Sequence, residues 1–175
     1  MGSAIPYLRD YVAIPSVNPM GRSDLPKEIV GEAALAGHLE SQLRRLSVDA
    51  QLVGDAARPS VLAEVRTAEP AASTVLVASH LDTVPVDGME IPPFDPVVDG
   101  GKLFGRGACD TKASGTAMLQ ALKRYSLAPD PANNVAILYT LDEEVSKTGI
   151  TSFVENELPS LGWTPSGVIV GEPTQ

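Results

Sequence analysis

Thr74-Val75-Leu76-Val77-Ala78-Ser79-His80-Leu81-Asp82-Thr83-Val84-Pro85 is the stretch on which the reading of this chain turns. Its first five residues form a short apolar run rich in β-branched side chains, which suits a strand covered on both faces of a sheet. Polar residues follow at once. His80 and Asp82 are two positions apart, so in an extended segment they point to the same side. The pattern recurs twice. An apolar strand over residues 133–141 leads into Asp142-Glu143-Glu144, and Val168-Ile169-Val170 leads into Gly171-Glu172. A further carboxylate, Asp110, follows the turn Gly105-Arg106-Gly107 and precedes a helical pattern, where it can also serve as the helix N-cap. In an open α/β sheet the ligand crevice lies at the C-terminal ends of the strands. These four points are therefore expected to converge.

Outward from these runs, the chain alternates helical and extended patterns. Residues 3–12 read as a short helix with Ser3 as its cap and Pro6 in its first turn. Residues 27–46 read as one amphipathic helix, with Leu35, Leu39, Leu43 and Leu46 on a single face. Strands are expected at 48–53 and 61–65, and a small hairpin at 96–104 around Asp99-Gly100-Gly101-Lys102. Helices are expected at 111–125, with Met118, Leu119 and Leu122 inward, and at 148–158. The fold class is α/β with a mostly parallel central sheet. Nothing inside the chain reads as an interdomain linker.

Composition narrows the function. The 175 residues carry 13 Lys and Arg against 22 Asp and Glu, a net charge of −9, which argues against a nucleic-acid partner. The single cysteine, Cys109, excludes an intrachain disulfide and a cysteine-based zinc finger; beside Asp110 it is expected to be a packing residue. No stretch reaches the ~18 consecutive apolar residues of a membrane span. The start, Met1-Gly2-Ser3-Ala4-Ile5-Pro6, does not read as a signal peptide or a myristoylation site, so a cytoplasmic location is expected.

Several carboxylates at one place repel one another unless a cation neutralises them. One histidine among Asp and Glu suits divalent zinc, cobalt or manganese, and a carboxylate can bridge two such ions. His80 is the natural nitrogen ligand. Asp82 can hold its other ring nitrogen, fixing the tautomer. Glu143 and Glu144 are adjacent and point in different directions, so one can bind metal while the other serves as base. Spacing alone does not say which.

Ser79–Pro85 resembles the first metal motif of the dinuclear zinc peptidase family that includes acetylornithine deacetylase, succinyl-diaminopimelate desuccinylase, aminoacylase and glutamate carboxypeptidase. Leu103-Phe104-Gly105-Arg106-Gly107-Ala108-Cys109-Asp110-Thr111-Lys112 is similar to its second motif, Leu141-Asp142-Glu143-Glu144-Val145 to its third, and Gly171-Glu172-Pro173-Thr174 to its fourth. The four occur in the family's order. Ala113 departs from the glycine common after the second motif.

The resemblance implies a three-layer sandwich and two divalent ions, zinc above all. It implies that His80 and Glu172 hold one ion, Asp110 bridges both, Glu144 holds the second, Glu143 is general base and acid, and Asp82 orients His80. A Glu at position 172 is similar to the deacylase and carboxypeptidase branch, which implies an N-acyl amino acid or small peptide as substrate, and a homodimer as a possible assembly. Members of the family continue past the fourth motif into a lid or dimerisation domain and then return with a second histidine ligand. Residues 1–175 are thus expected to be the N-terminal part of a catalytic domain, with an unfinished sheet edge and weak or no activity alone. His38, on the expected helix, does not fill that role. The alternative is a non-catalytic metal-binding or interaction fragment of the same family.

Overall fold

The computed structural model describes residues 3–69 and 72–173. Met1 and Gly2, on which the N-terminal signal reading rests, and Thr174 of the fourth motif lie outside the described residues. In chain order the regular elements are α1 (Ile5–Ala13), α2 (Ala33–Arg45), β1 (Asp49–Val53), β2 (Ser60–Val65), β3 (Thr74–His80), β4 (Val97–Asp99), β5 (Lys102–Phe104), α3 (Lys112–Tyr125), β6 (Asn134–Thr140), α4 (Thr148–Ser152) and β7 (Pro165–Val170). Five strands form one sheet in the order β1-β2-β6-β3-β7, and β4-β5 form the separate hairpin expected around Gly100-Gly101. β6, β3 and β7 run parallel, while β2 is antiparallel to both β1 and β6.

Period-two alternation divides the sheet residues between two cores. Val61 and Ala63 of β2, with Ile137 and Tyr139 of β6, face Leu35, Leu39 and Leu43 of α2 and Leu119 and Leu122 of α3. Leu62, Leu76, Ala136 and Leu138 face the other way, onto Phe153, and Ile150, Leu158 and Trp163 pack beside them. Helices thus cover both faces, and the architecture is the expected three-layer sandwich. Each fully buried leucine of α2 contributes roughly 1.5–3 kcal/mol of burial free energy.

Three expectations change. The helix expected over 27–46 begins only at Ala33, because Val17 pairs with Val30 as a parallel bridge and draws residues 29–31 into extended structure. The hydrogen bonds from Val17 N to the Ile29 oxygen and from Gly31 N to the Val17 oxygen, both 2.9 Å, hold them there. Lys27–Ile29 is left as a single 3₁₀ turn. The helix expected over 148–158 is α-helical only to Ser152; a π turn, Phe153–Glu157, and a 3₁₀ turn, Leu158–Ser160, follow. Pro159 has no N–H to offer the carbonyl of Glu155, so the α pattern cannot continue through it. At α3 the N-cap is Thr111 and not Asp110, and no side chain caps the helix.

β7 has β3 on one side and, among the described residues, no strand on the other. Val168, Ile169 and Val170 are 56%, 57% and 62% exposed, whereas β3 beside it and β6 beyond β3 are largely buried.

Gly149, in the first turn of α4, lies against the backbone of Leu141. A Cβ there would stand 2.6 Å from both the nitrogen and the oxygen of Leu141. Gly149→Ala is expected to destabilise the fold by about 1–3 kcal/mol, read as a drop in melting temperature of roughly 2–12 °C. An unchanged melting temperature would show that α4 can move away from β6.

Candidate metal centre

Three chain segments deliver the polar residues to one end of the sheet. β3 ends on His80, β6 ends two residues before Asp142, and β7 ends two residues before Glu172. Asp110 comes from the loop that opens α3. That loop is tied to the end of β7: Thr111 Oγ1 and Ser114 Oγ both donate to the Gly171 carbonyl, at 2.6 and 3.0 Å. Gly171 N in turn donates to the Ala78 oxygen at 2.8 Å, which keeps Glu172 next to His80.

His80 is buried, and its two nitrogens face different surroundings. Nδ1 donates to the Asp82 carbonyl oxygen at 2.9 Å, with Asp82 Oδ1 at 3.4 Å. Nε2 is thereby left facing Asp110 Oδ1 at 3.1 Å and Glu172 Oε2 at 3.8 Å. His80, Asp110 and Glu172 form one group whose ligand atoms lie within 4.8 Å of one another. The Asp110 and Glu172 side chains are 54% and 41% exposed, so the mouth of the site is open while its base is dry. Ligands at ~2.0–2.2 Å around a tetrahedral ion stand about 3.3–3.6 Å apart, so this donor set and spacing fit a divalent cation.

Glu143 and Glu144 follow Asp142 in the turn between β6 and α4. Their backbone N–H groups donate to Asp82 Oδ1 and Oδ2 at 2.9 and 3.1 Å. The Glu143 carboxylate lies 3.0 Å from Lys147 Nζ. Glu144 is outside the tight group of three but feels the charges of His80, Asp110 and Asp82. A cleft of about 310 Å³ adjoins the group; His80, Thr140, Glu143 and Glu172 line it with Ile150 and Val168.

The electrostatics show a site rich in anions. Burial alone would lower the His80 pKa, but the hydrogen bond and charge of Asp82 and the charge of Glu172 outweigh it and raise it to about 9. Burial would likewise raise Asp82, yet His80, Asn18 and the two glutamate N–H groups keep its pKa below the usual carboxylate range. Glu144 and Glu172 both shift upward, through desolvation and neighbouring carboxylates, although His80 opposes the shift. These two are acids held where a negative charge is costly, the condition a bound cation relieves.

The structure therefore brings His80, Asp82, Asp110 and Glu172 together, with Glu143 and Glu144 anchored beside them. His38 lies on α2 with its ring edge-on to Tyr11, centroids 5.8 Å apart, away from this group. Cys109, expected to be a packing residue, is exposed, because the loop before α3 turns it outward. Three residues beneath the site were missed. Lys112, pushed down to about 7 by burial, donates to the carbonyl oxygens of Tyr11 and Ile14 at 2.9 and 2.8 Å. Glu32 is fully buried against Arg58, with Arg58 Nε on Oε2 at 2.8 Å. Asn18 links Asp82 to Asp142. Glu32 and Lys112 fall inside the helices expected at 27–46 and 111–125, Lys112 also at the end of the second motif, and Asn18 outside any expected element, so polarity alone marked them.

Residues 76–175 match the family model described as Peptidase family M20/M25/M40. The chain belongs to this family. It is 42% identical over 107 residues to a succinyl-diaminopimelate desuccinylase of Aromatoleum aromaticum, an alignment covering 59% of this chain and 28% of that one. With the enzyme of the same name from Variovorax paradoxus it shares 43% over 105 residues, 58% of this chain and 27% of the relative. Among solved structures it resembles an M20 family metallo-carboxypeptidase, Sso-CP2, from Sulfolobus solfataricus, with a TM-score of 0.80 and 26% identity over 98% of this chain and 37% of that one. Human carnosine dipeptidase 1, at 23% identity and a TM-score of 0.78, shares the fold over 98% of this chain and 38% of its own. The chain thus spans under two fifths of the length of these relatives. No helix among the described residues is long and apolar enough to cross a membrane.

The raised His80 pKa sets a pH dependence. In the free protein its protonated form adds to stability in full below about pH 6.5, the ordinary value, and that contribution is lost as the pH rises through about 9. A cation at Nε2 must displace the proton, so cobalt(II) or zinc affinity should rise about tenfold per pH unit across that window and then level off. Calorimetric titration in buffers of different ionisation enthalpy measures the proton released. Binding without proton release at pH 7 would show that His80 either is not a ligand or is already neutral before the cation arrives.

Proposed function

We propose that this chain carries the cation-binding half of an amide hydrolase acting on N-acyl amino acids or small peptides. The observation that supports it is the orientation of His80, with Nδ1 held from behind and Nε2 aimed at Asp110 and Glu172. In this reading His80 and Glu172 would hold one divalent ion, Asp110 would be shared with a second, and Glu144 would hold the second. Bound ions would supply Lewis acidity to the substrate carbonyl and lower the pKa of water. Zinc suits the donor set best, with cobalt and manganese close behind.

The chain's own residues do the rest. Asp82 keeps the His80 ring in one tautomer and one orientation. Glu143 stands free of the group of three, on the wall of the cleft, where its carboxylate can take a proton from water and return it to the leaving amine. The apolar side chains of Ile150 and Val168 in the same cleft exclude water from the acyl portion of a substrate. The desuccinylase relatives support an acylated amino acid over a long peptide.

Metal titration and turnover test the proposal separately. The 175-residue chain should bind cobalt(II) measurably, and Asp110→Ala should weaken that binding by about 10–100-fold or more; unchanged affinity and stoichiometry would refute the bridging role. The chain alone should hydrolyse N-succinyl and N-acetyl amino acids poorly. In an active, longer context, Glu143→Ala should leave metal content intact and lower kcat by about 10²–10⁴-fold. Full activity in that variant would remove Glu143 from the chemistry.

A further inference from the structure

A buried polar cluster lies beneath the cation group and reaches into segments remote in sequence. Its centre is Asn18, which is 2% exposed and sits between Val17, bridged to both Val30 and Thr83, and Pro19. The Asn18 side-chain nitrogen donates to Asp82 Oδ2 at 2.8 Å and to Asp142 Oδ1 at 2.9 Å. Its side-chain oxygen accepts from Met20 N at 3.0 Å, and its backbone N donates to the Thr83 oxygen at 2.8 Å. The amide orientation is therefore determined. Reversed, it would set an oxygen against two carboxylates.

Both carboxylates that Asn18 joins grip the turn bearing the two glutamates. Asp82 accepts the N–H groups of Glu143 and Glu144. Asp142 starts that turn at φ +56°, in the left-handed region that costs most residues strain but aspartate less. Its N–H donates to Glu32 Oε1 at 3.2 Å, its carboxylate accepts from Thr148 Oγ1 at 2.6 Å, and its carbonyl accepts from Lys147 N at 2.7 Å. Arg58, paired with Glu32, stands 3.5 Å from Asp142 Oδ1. Asp82 faces no guanidinium or ammonium group at ion-pair distance among the described residues; its side-chain partners are His80 and Asn18. Asn18 is thus the neutral double donor that lets two buried carboxylates lie side by side.

We propose that Asn18 is a positioning residue: by bridging Asp82 and Asp142 it sets the Asp142–Lys147 turn and hence the placement of Glu143 and Glu144 at the cation group. The functional meaning rests on the hydrolase reading above, but the mechanical claim does not. Fully satisfied networks of this kind rigidify, and loss of one member leaves its partners unpaired in a dry environment.

The test uses the metal-free 175-residue chain and two variants. Asn18→Ala removes both donors. Asn18→Asp keeps the shape and replaces the donor with a third carboxylate. Amide hydrogen exchange at Glu143 and Glu144 should speed up by about tenfold or more in both, while the amides of Ala136, Ile137 and Leu138 in β6 keep their wild-type rates. In Asn18→Asp, cobalt(II) affinity should also fall by about 10–100-fold. Wild-type exchange at Glu143 and Glu144 in Asn18→Asp would overturn the proposal, since the side chain would then act by shape alone. A uniform rise across β6 would also overturn it, by showing a general structural role. If the wild-type chain binds no cobalt(II) yet the exchange pattern is as expected, the hydrolase reading fails and the positioning role stands.

Discussion

Asp82 is a carboxylate with no exposure to solvent, and the organisation of the site follows from satisfying it. A buried charge is tolerated only when donors surround it. Here they come from the Asn18 side chain, the His80 ring and the N–H groups of Glu143 and Glu144. Four functional side chains inherit their positions from one anion.

The same logic explains the charge of the site. Asp82, Asp110, Glu143, Glu144 and Glu172 crowd one end of the sheet, and the cations among them are His80, when protonated, and Lys147 at the rim. The hydrogen bond and charge of Asp82 and the charge of Glu172 hold His80 as the imidazolium, its pKa raised to about 9 in spite of burial. A divalent ion offers the same surroundings more charge at a shorter distance. The net charge of −9 is thereby partly local in origin.

The fold was largely legible because its strands are unambiguous. β3 and β6 are continuous apolar runs, and the acids at their ends mark the crevice that parallel strands create. The motif residues were legible for the same reason, since His80 and Asp82, and Glu143 and Glu144, are local pairs. What could not be read depended on partners far along the chain. The start of α2 moved because Val30 prefers Val17 to a helical turn. Asp110 lost the cap because the α3 entrance is tied to Gly171. Asn18 and Asp142 are 124 positions apart, and no periodicity announces such a contact. A polar residue between Val17 and Pro19 looks like ordinary loop until the sheet closes over it.

The three members of the cation group differ in mechanical compliance. His80 is clamped inside the sheet, whereas Glu172 extends from a strand that, among the described residues, has a neighbour on one side only, its tip secured through the Gly171 carbonyl. A ring of ligands with one yielding member adjusts its radius to the ion it receives. In the proposed reading, selection among zinc, cobalt and manganese would then fall to ligand softness, because cavity size discriminates only when every wall is stiff.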